Sequence, residues 1–185
     1  NNYGADSVRL FIISDSPPEK DVQWSEQGMN ASYKFVQKLW DLHIKIKSKI
    51  DEKNTSEVDM EITKFTHQLV DKIMYNLDKF NYNVIVANMY ETYNFLIKYI
   101  KDYKNISNLE KNYRDILICF SPVIPHFANE CLSDFDANEG IRWPKIDEKL
   151  LLKEKINFVI QINGKKRSIL NVKKNITETE LLEIV

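Results

Sequence analysis

A chain of 185 residues and 21.9 kDa has room for one medium domain, or for a domain with a small appendage. Hydrophobic residues make up 43% and aromatics 11%, enough apolar surface to bury a core, which excludes disorder as the default state. With 26 Lys+Arg against 27 Asp+Glu the net charge is -1, so no global field draws nucleic acid or membrane, and any anionic partner must be met by a local patch.

Only 4 glycines and 5 prolines punctuate the sequence, a scarcity that favours long helices over many short strands. Asn2 to Ser14 reads as a short helix with Asp6 near its start. A loop through Ser16-Pro17-Pro18-Glu19 follows, which no helix crosses easily. Ser25, after Trp24, is an expected N-cap. From about Met29 to Ile50, the residues Phe35, Leu39, Leu42, Ile46 and Ile50 recur at offsets of four, three, four and four, the spacing of an amphipathic helix. These five project within an arc of roughly 80°, and Lys34, Lys38, Lys45 and Lys49 fall on an adjacent arc of roughly 60°. One helix is therefore expected to carry a buried stripe beside a basic one.

Asp51 to Glu57 reads as a polar turn. Ile62, Phe65, Leu69, Ile73, Leu77 and Phe80 mark a second long helix over about 59–80. Tyr82, Val86, Met89, Tyr93, Leu96 and Ile100 mark a third, separated from the second only by 81–83. A fourth runs over about 108–120. Ser121-Pro122 and Pro125 break it, and Pro125 suits the first turn of a short further helix ending near Phe135. Short connections between consecutive helices imply antiparallel neighbours, so residues 1–140 are expected to form one helix bundle, making the chain mainly α.

After Gly140 the pattern changes. Trp143-Pro144 signals a linker over 141–155. Phe158, Ile160 and Ile162 then alternate with Val159, Gln161 and Asn163. Asn163-Gly164 is a two-residue hairpin turn, with Ser168 to Val172 as the returning strand. Thr177 with Glu180 three residues on reads as a capping box opening a helix. An isolated hairpin is marginal in water, so 156–185 is expected to be the truncated start of a small α/β domain, and the chain a fragment.

The catalytic inventory is poor. His43, His67 and His126 are separated and form no HExxH pattern, and Cys119, His126 and Cys131 lack the spacing of a common zinc site. No GxGxxG or GxxxxGK[ST] string occurs to cradle phosphates. Ser14, Ser16 and Ser25 have no nucleophile elbow, and Asp134 with Asp136 reads as loop solvation. No catalytic residue, metal or cofactor is therefore assigned. Cys119 and Cys131 form no CxxC pair, predicting buried free thiols in a reducing compartment. No apolar run approaches the roughly 20 residues that span a bilayer, and Asn-Asn-Tyr-Gly-Ala-Asp carries no signal-peptide pattern, so a cytoplasmic location without membrane association is expected.

The binding inventory is richer. A lysine stripe on a helix can follow a phosphate backbone, because its spacing turns several ammonium groups to one strand. Lys165, Lys166 and Arg167 form a second basic cluster just past the hairpin turn. Arginines are few (Arg9, Arg114, Arg142 and Arg167), so such contacts would act mostly as point charges.

Several blocks resemble class I aminoacyl-tRNA synthetases. Tyr3-Gly4-Ala5-Asp6-Ser7-Val8-Arg9-Leu10-Phe11 is similar to the "YGADxxRLF" segment that follows the KMSKS loop in the leucyl, valyl and isoleucyl branches. Pro17-Pro18-Glu19-Lys20-Asp21-Val22-Gln23-Trp24-Ser25 resembles the leucyl "PPExDxxWS". Phe35-Val36-Gln37-Lys38-Leu39-Trp40 resembles "RFxxRLW", with Lys34 and Lys38 where arginines are usual. Ser121-Pro122-Val123-Ile124-Pro125-His126-Phe127-Ala128-Asn129-Glu130 is similar to "APxxPHxAEEL". Val159-Ile160-Gln161-Ile162-Asn163-Gly164-Lys165-Lys166-Arg167 resembles the "VQVNGKxR" hairpin of bacterial leucyl enzymes, with Ser168 where many relatives carry glycine.

The blocks keep the family's order. The resemblance implies the helical anticodon-binding domain of a leucyl-tRNA synthetase, followed by the start of its C-terminal domain. Such an enzyme joins leucine to tRNA(Leu) through leucyl-adenylate, using ATP and Mg, and works as a monomer. The HIGH and KMSKS strings that handle ATP do not occur in this sequence, so this piece is expected to be inactive alone and to position the tRNA body for the catalytic core of the same chain. The tRNA contacts are expected from Lys34, Lys38, Lys45, Lys49, Lys165, Lys166 and Arg167. The competing readings are the same region of a valyl or isoleucyl enzyme, and a helical scaffold that binds proteins. A valyl enzyme typically ends in a coiled coil, and this tail has no sustained heptads.

Overall fold

The computed structural model describes residues 3–14, 20–52, 57–101, 107–135, 141–151, 155–162, 165–173, 176 and 178–184, without the side chains of 155–157, 162, 165, 171, 173, 178, 182 and 183. Among the described residues there are eight helices and one two-stranded sheet, and the chain divides into two compact units, Asn1–Ile146 and Asp147–Val185. The loop expected at Ser16 to Glu19, the turn residues 53–56, the Asn163-Gly164 turn, the Thr177 cap and Asp136 lie outside the described residues.

The first unit is a helix bundle: α1 (Ala5–Ser14), α2 (Glu26–Asp51), α3 (Met60–Asp78), α4 (Tyr82–Lys101), α5 (Leu109–Phe120) and α6 (Pro125–Ser133). α2 begins where the sequence placed its cap, with the Ser25 hydroxyl accepting from the Gly28 amide at 3.2 Å. All five stripe residues of α2 are buried, alongside Ile62, Leu69 and Ile73 of α3, Ile85, Met89 and Leu96 of α4, and Ile116 and Leu117 of α5. Phe65 and Phe95 stack at 3.8 Å and tie α3 to α4. A Cβ on Gly28 would sit 2.6 Å from the Phe11 ring, so a glycine inside α2 is what lets α1 approach it this closely.

The α3 to α4 corner shows how a helix ends without its usual residue. The Asn81 amide donates to the Asn76 carbonyl at 2.9 Å, and the Phe80 amide donates to the Leu77 carbonyl at 3.1 Å. These are the two bonds of a Schellman motif, whose left-handed position is usually glycine. Here that position is Phe80, with φ of 56° and the ring exposed. Phe80→Gly is expected to raise stability by about 0.5–1 kcal/mol by relieving the left-handed strain. Urea unfolding checks it, and a loss of stability would mean that the edge contact of Phe80 on Tyr82 outweighs the strain.

The starts of α3 and α5 are fastened to each other. Asn108 precedes α5, yet its side chain does not cap that helix. Its Nδ2 donates instead to the Asp59 carbonyl at 2.9 Å and to Thr63 Oγ1 at 2.8 Å, while its Oδ1 accepts from the Asp59 amide at 3.0 Å. Asp59 in turn caps α3, accepting from the Glu61 amide at 2.6 Å. After α6, Trp143 and Ile146 pack against the helical core.

The second unit holds α7 (Glu148–Leu151), the strands β1 (Lys155–Ile162) and β2 (Lys165–Lys173), and α8 (Glu178–Ile184). The strands pair antiparallel, with Phe158 opposite Leu170 and Ile160 opposite Ser168, so serine at 168 does not interrupt the return strand. The register shifts between Ile160 and Gln161, which face Ser168 and Lys166. Arg167 is therefore the extra residue of a bulge, a feature that re-aims a side chain out of strict alternation. The four-residue α7 carries no sequence signal that the periodicity registered.

Candidate nucleic-acid interface

Two polar networks, both built by residues far apart in the chain, brace the bundle around α2. The first joins α1 to α6. Asp6 is buried and its carboxylate accepts from the Phe127 amide at 2.6 Å, the His126 amide at 3.4 Å and His126 Nδ1 at 2.9 Å. Ile124 before α6 offers no side-chain cap and Pro125 has no N–H, so Asp6 supplies from α1 the anion that an N-terminus favours. One turn along, Arg9 donates from Nε to the Val123 carbonyl at 3.0 Å and from its guanidinium to the Pro122 carbonyl at 2.9 Å. Asp6 and Arg9 thus clamp both sides of the α5 to α6 turn.

The second network anchors α2 itself. His43 is 2% exposed and lies between Tyr113 of α5, 3.1 Å from its Nδ1, and Asp134 after α6, 2.9 Å from its Nε2. In the tautomer whose Nε2–H donates to the carboxylate, Nδ1 accepts the Tyr113 proton. Lys47, one turn along α2, pairs with the second oxygen of Asp134. Hydrogen bonds from Lys47 and then His43 hold the Asp134 carboxyl below its ordinary range. Burial pushes the Tyr113 phenol well above its own, reinforced by the nearby Cys131 and Asp134.

Held this way, α2 presents its lysine flank outward. Lys34, Lys38 and Lys45 are exposed and make no ion pair with a described residue. Lys49 differs: it is half-buried and pairs with Glu52 at 2.8 Å, and that hydrogen bond, with the lysine's charge, holds the Glu52 carboxyl low. Asp41 is exposed at the border of the stripe away from the core. The three unpaired ammonium groups lie on one rigid helix face about 16 Å long from Lys34 to Lys45, the span of a few phosphates along one strand.

The hairpin cluster is placed differently. Lys166 and Arg167 are exposed in β2, and Arg167 is the bulge residue. Lys165 pairs through its backbone with Ile162, and its side chain lies outside the described residues. The two clusters belong to separate compact units.

Among the described residues no group of His, Cys, Asp and Glu is placed to hold a metal ion. Cys119 and Cys131 are free and buried. Burial, then Asp115, pushes the Cys119 thiol up to about 12. Burial likewise raises Cys131, with Asp134 and Glu130 adding to it, so neither thiol ionises readily. A cavity of about 360 Å³ opens between α3 and α5, lined by His67, Lys111, Asp115 and Lys145 among others. Burial raises the Asp115 carboxyl there, opposed by Lys111, His67 and Arg114. No helix is long and apolar enough to cross a membrane among the described residues.

Residues 59–183 match the family model described as the anticodon-binding domain of tRNA ligase. Leucine–tRNA ligase of Petrotoga mobilis is 32% identical over 97% of this chain, that of Bartonella tribocorum 30% over all of it, and that of a Wolbachia from Drosophila simulans 33% over 98%. This chain spans 23%, 22% and 22% of their lengths. The fold is shared with a solved LeuRS from Agrobacterium radiobacter K84, crystallised in a ternary complex with tRNA and LeuAMS. The TM-score is 0.75 at 20% identity, covering 99% of this chain and 25% of that one. By the family match over most of its length, this chain belongs to the anticodon-binding domain family of tRNA ligases, and the relatives that match it end to end are leucine–tRNA ligases.

Proposed function

We propose that this chain is the tRNA-binding region of a cytoplasmic, monomeric leucine–tRNA ligase, and that it holds the body of tRNA(Leu) by its phosphates while leucine is activated and transferred in the catalytic core. The observation that carries the reading is the flank of α2, where Lys34, Lys38 and Lys45 are exposed, close together and unpaired with any described carboxylate. Ammonium groups so placed exchange counterions for phosphates without reading bases, so they orient the RNA more than they select its sequence. Orientation fixed far from the reacting atoms serves catalysis by placing the acceptor end correctly. Lys49, already paired with Glu52, contributes less than the other three, and Lys165, Lys166 and Arg167 form a second contact on the hairpin. ATP and magnesium, which leucine activation uses, belong to the HIGH and KMSKS motifs, and those strings do not occur in this sequence.

In the full-length enzyme, Lys34→Ala with Lys38→Ala is expected to raise the KM for tRNA about tenfold, each exposed ammonium contributing roughly 0.7 kcal/mol to binding. Leucine-dependent exchange of ATP and pyrophosphate, which needs no RNA, should be unchanged. Steady-state leucylation across a tRNA concentration series checks both, and an unaltered KM would remove the lysine flank from the binding surface.

A further inference from the structure

We infer that Tyr90 of α4 is a further tRNA contact at the edge of the lysine flank, its phenol O–H donating to a backbone phosphate held by Lys34 and Lys38; this rests on the tRNA-binding reading above. The Tyr90 ring stacks on Phe35 of α2 with centroids 3.8 Å apart and planes 26° apart. Phe35 stands between the two lysines in the chain, about 100° around the helix axis from Lys34 and about 60° from Lys38. Leu39 and Ile46, both buried, lie on its other side.

The neighbours of α2 decide which side of Phe35 is covered by α4. The Phe11 ring of α1 lies against Gly28, Tyr3 meets Tyr33, and Phe127 of α6 meets Trp40. Of these, Tyr33 and Trp40 project on the flank of α2 away from the lysines, while the buried stripe is shared with α4. Two residues of α4 reach Phe35, Tyr93 edge-on at 5.8 Å and Tyr90 in the stack. Tyr90 is the exposed one, and the exposed border of α2 beside Phe35 is the lysine side.

Tyr90 combines a fixed ring with an exposed edge. It is 41% exposed, although its ring is fixed by the stack, and its hydroxyl has no hydrogen-bond partner among the described residues. That hydroxyl is therefore open to an acceptor from outside the chain. Burial raises the Tyr90 phenol, so the group stays protonated and able to donate. An O–H donor on a ring fixed at the helix edge next to the lysine flank suits a phosphate oxygen, because the ammoniums supply charge and the phenol supplies direction.

Tyr90→Phe keeps the stack on Phe35 and removes only the donor. In the full-length enzyme it is expected to weaken binding of tRNA about threefold to fivefold, with Tm and leucine-dependent exchange of ATP and pyrophosphate unchanged. Combined with Lys34→Ala, the loss should be smaller than the product of the single losses, because both groups address one phosphate. Wild-type binding by Tyr90→Phe, in an enzyme whose Lys34→Ala Lys38→Ala form is weakened, would overturn the inference and leave the tRNA-binding reading standing. If the unmodified enzyme does not bind tRNA at low salt, both fall together.

Discussion

Asp6→Ala is expected to destabilise the bundle by about 3 kcal/mol, because the buried carboxylate is the cap of α6 and its charge-assisted bonds to the Phe127 and His126 amides are lost with it. For a chain of this size that corresponds to a fall in Tm of roughly 6–12 °C. The size of the effect comes from where the carboxylate sits. Asp6 is buried, so water does not readily replace it, and the Phe127 amide at 2.6 Å would be left buried and unsatisfied. Asp6→Asn keeps one acceptor oxygen but turns an amine toward donors, so it should fall between wild type and Asp6→Ala. Melting followed by helical circular dichroism measures the series. A loss under about 1 kcal/mol would show that α6 finds another cap and that Asp6 is not its anchor.

His43→Ala is expected to cost about 3–4 kcal/mol, from the cavity left by a buried ring and from the Tyr113 hydroxyl stranded beside it. The cavity forms where four aromatic groups converge: Trp40 stacks on His43 at 5.5 Å, Tyr113 at 5.7 Å, and Phe135 meets it edge-on at 6.0 Å. Tyr113→Phe alone should cost less, since it removes the hydroxyl and not the ring. The two changes should not be additive: in His43→Ala the stranded hydroxyl is the liability, so adding Tyr113→Phe should restore about 1 kcal/mol. Simple additivity in urea unfolding would mean that the hydroxyl and the imidazole do not depend on each other.

Both anchors bear on the binding surface through α2. The lysine flank is useful to an RNA only if the helix that carries it does not roll. His43 and Lys47 hold α2 to Tyr113 and Asp134, while Asp6 and Arg9 hold α1, which packs on α2 through Phe11 and Gly28, to the α5 to α6 turn. The loss of either anchor should therefore reach tRNA binding indirectly, through stability, whereas loss of the lysines should reach it with the fold intact.

The sequence made the helices legible because their apolar residues recur at one period and face one core. Ser25 announced α2, Pro125 announced α6, and the alternation around 158–162 announced β1, each through local chemistry that needs no knowledge of the partner. What was not legible depends on residues distant in the chain. Asp6 and His126 are 120 positions apart, so nothing local distinguishes Asp6 from an ordinary acidic residue in a first turn. Asn108 looked like a helix start, yet its side chain fastens α3 because Asp59 and Thr63 lie in reach. Phe80 closes a motif that glycine normally marks, so the corner carried no glycine to betray it. Of the proposed contact residues, the stripe geometry of Lys34, Lys38 and Lys45 follows from period alone. The Lys49 pairing with Glu52 three residues on was readable as an i,i+3 pair, while the place of Tyr90 beside them depends on how α4 packs.

The most direct measurement of the central claim is the salt dependence of tRNA affinity for the full-length enzyme, with and without Lys34→Ala and Lys38→Ala. Each phosphate contact adds roughly one to the slope of log affinity against log salt. The double variant should bind more weakly at low salt and show a slope shallower by about two, with the curves converging as salt rises. Parallel lines of equal slope for the two proteins would contradict the claim that these lysines hold phosphates.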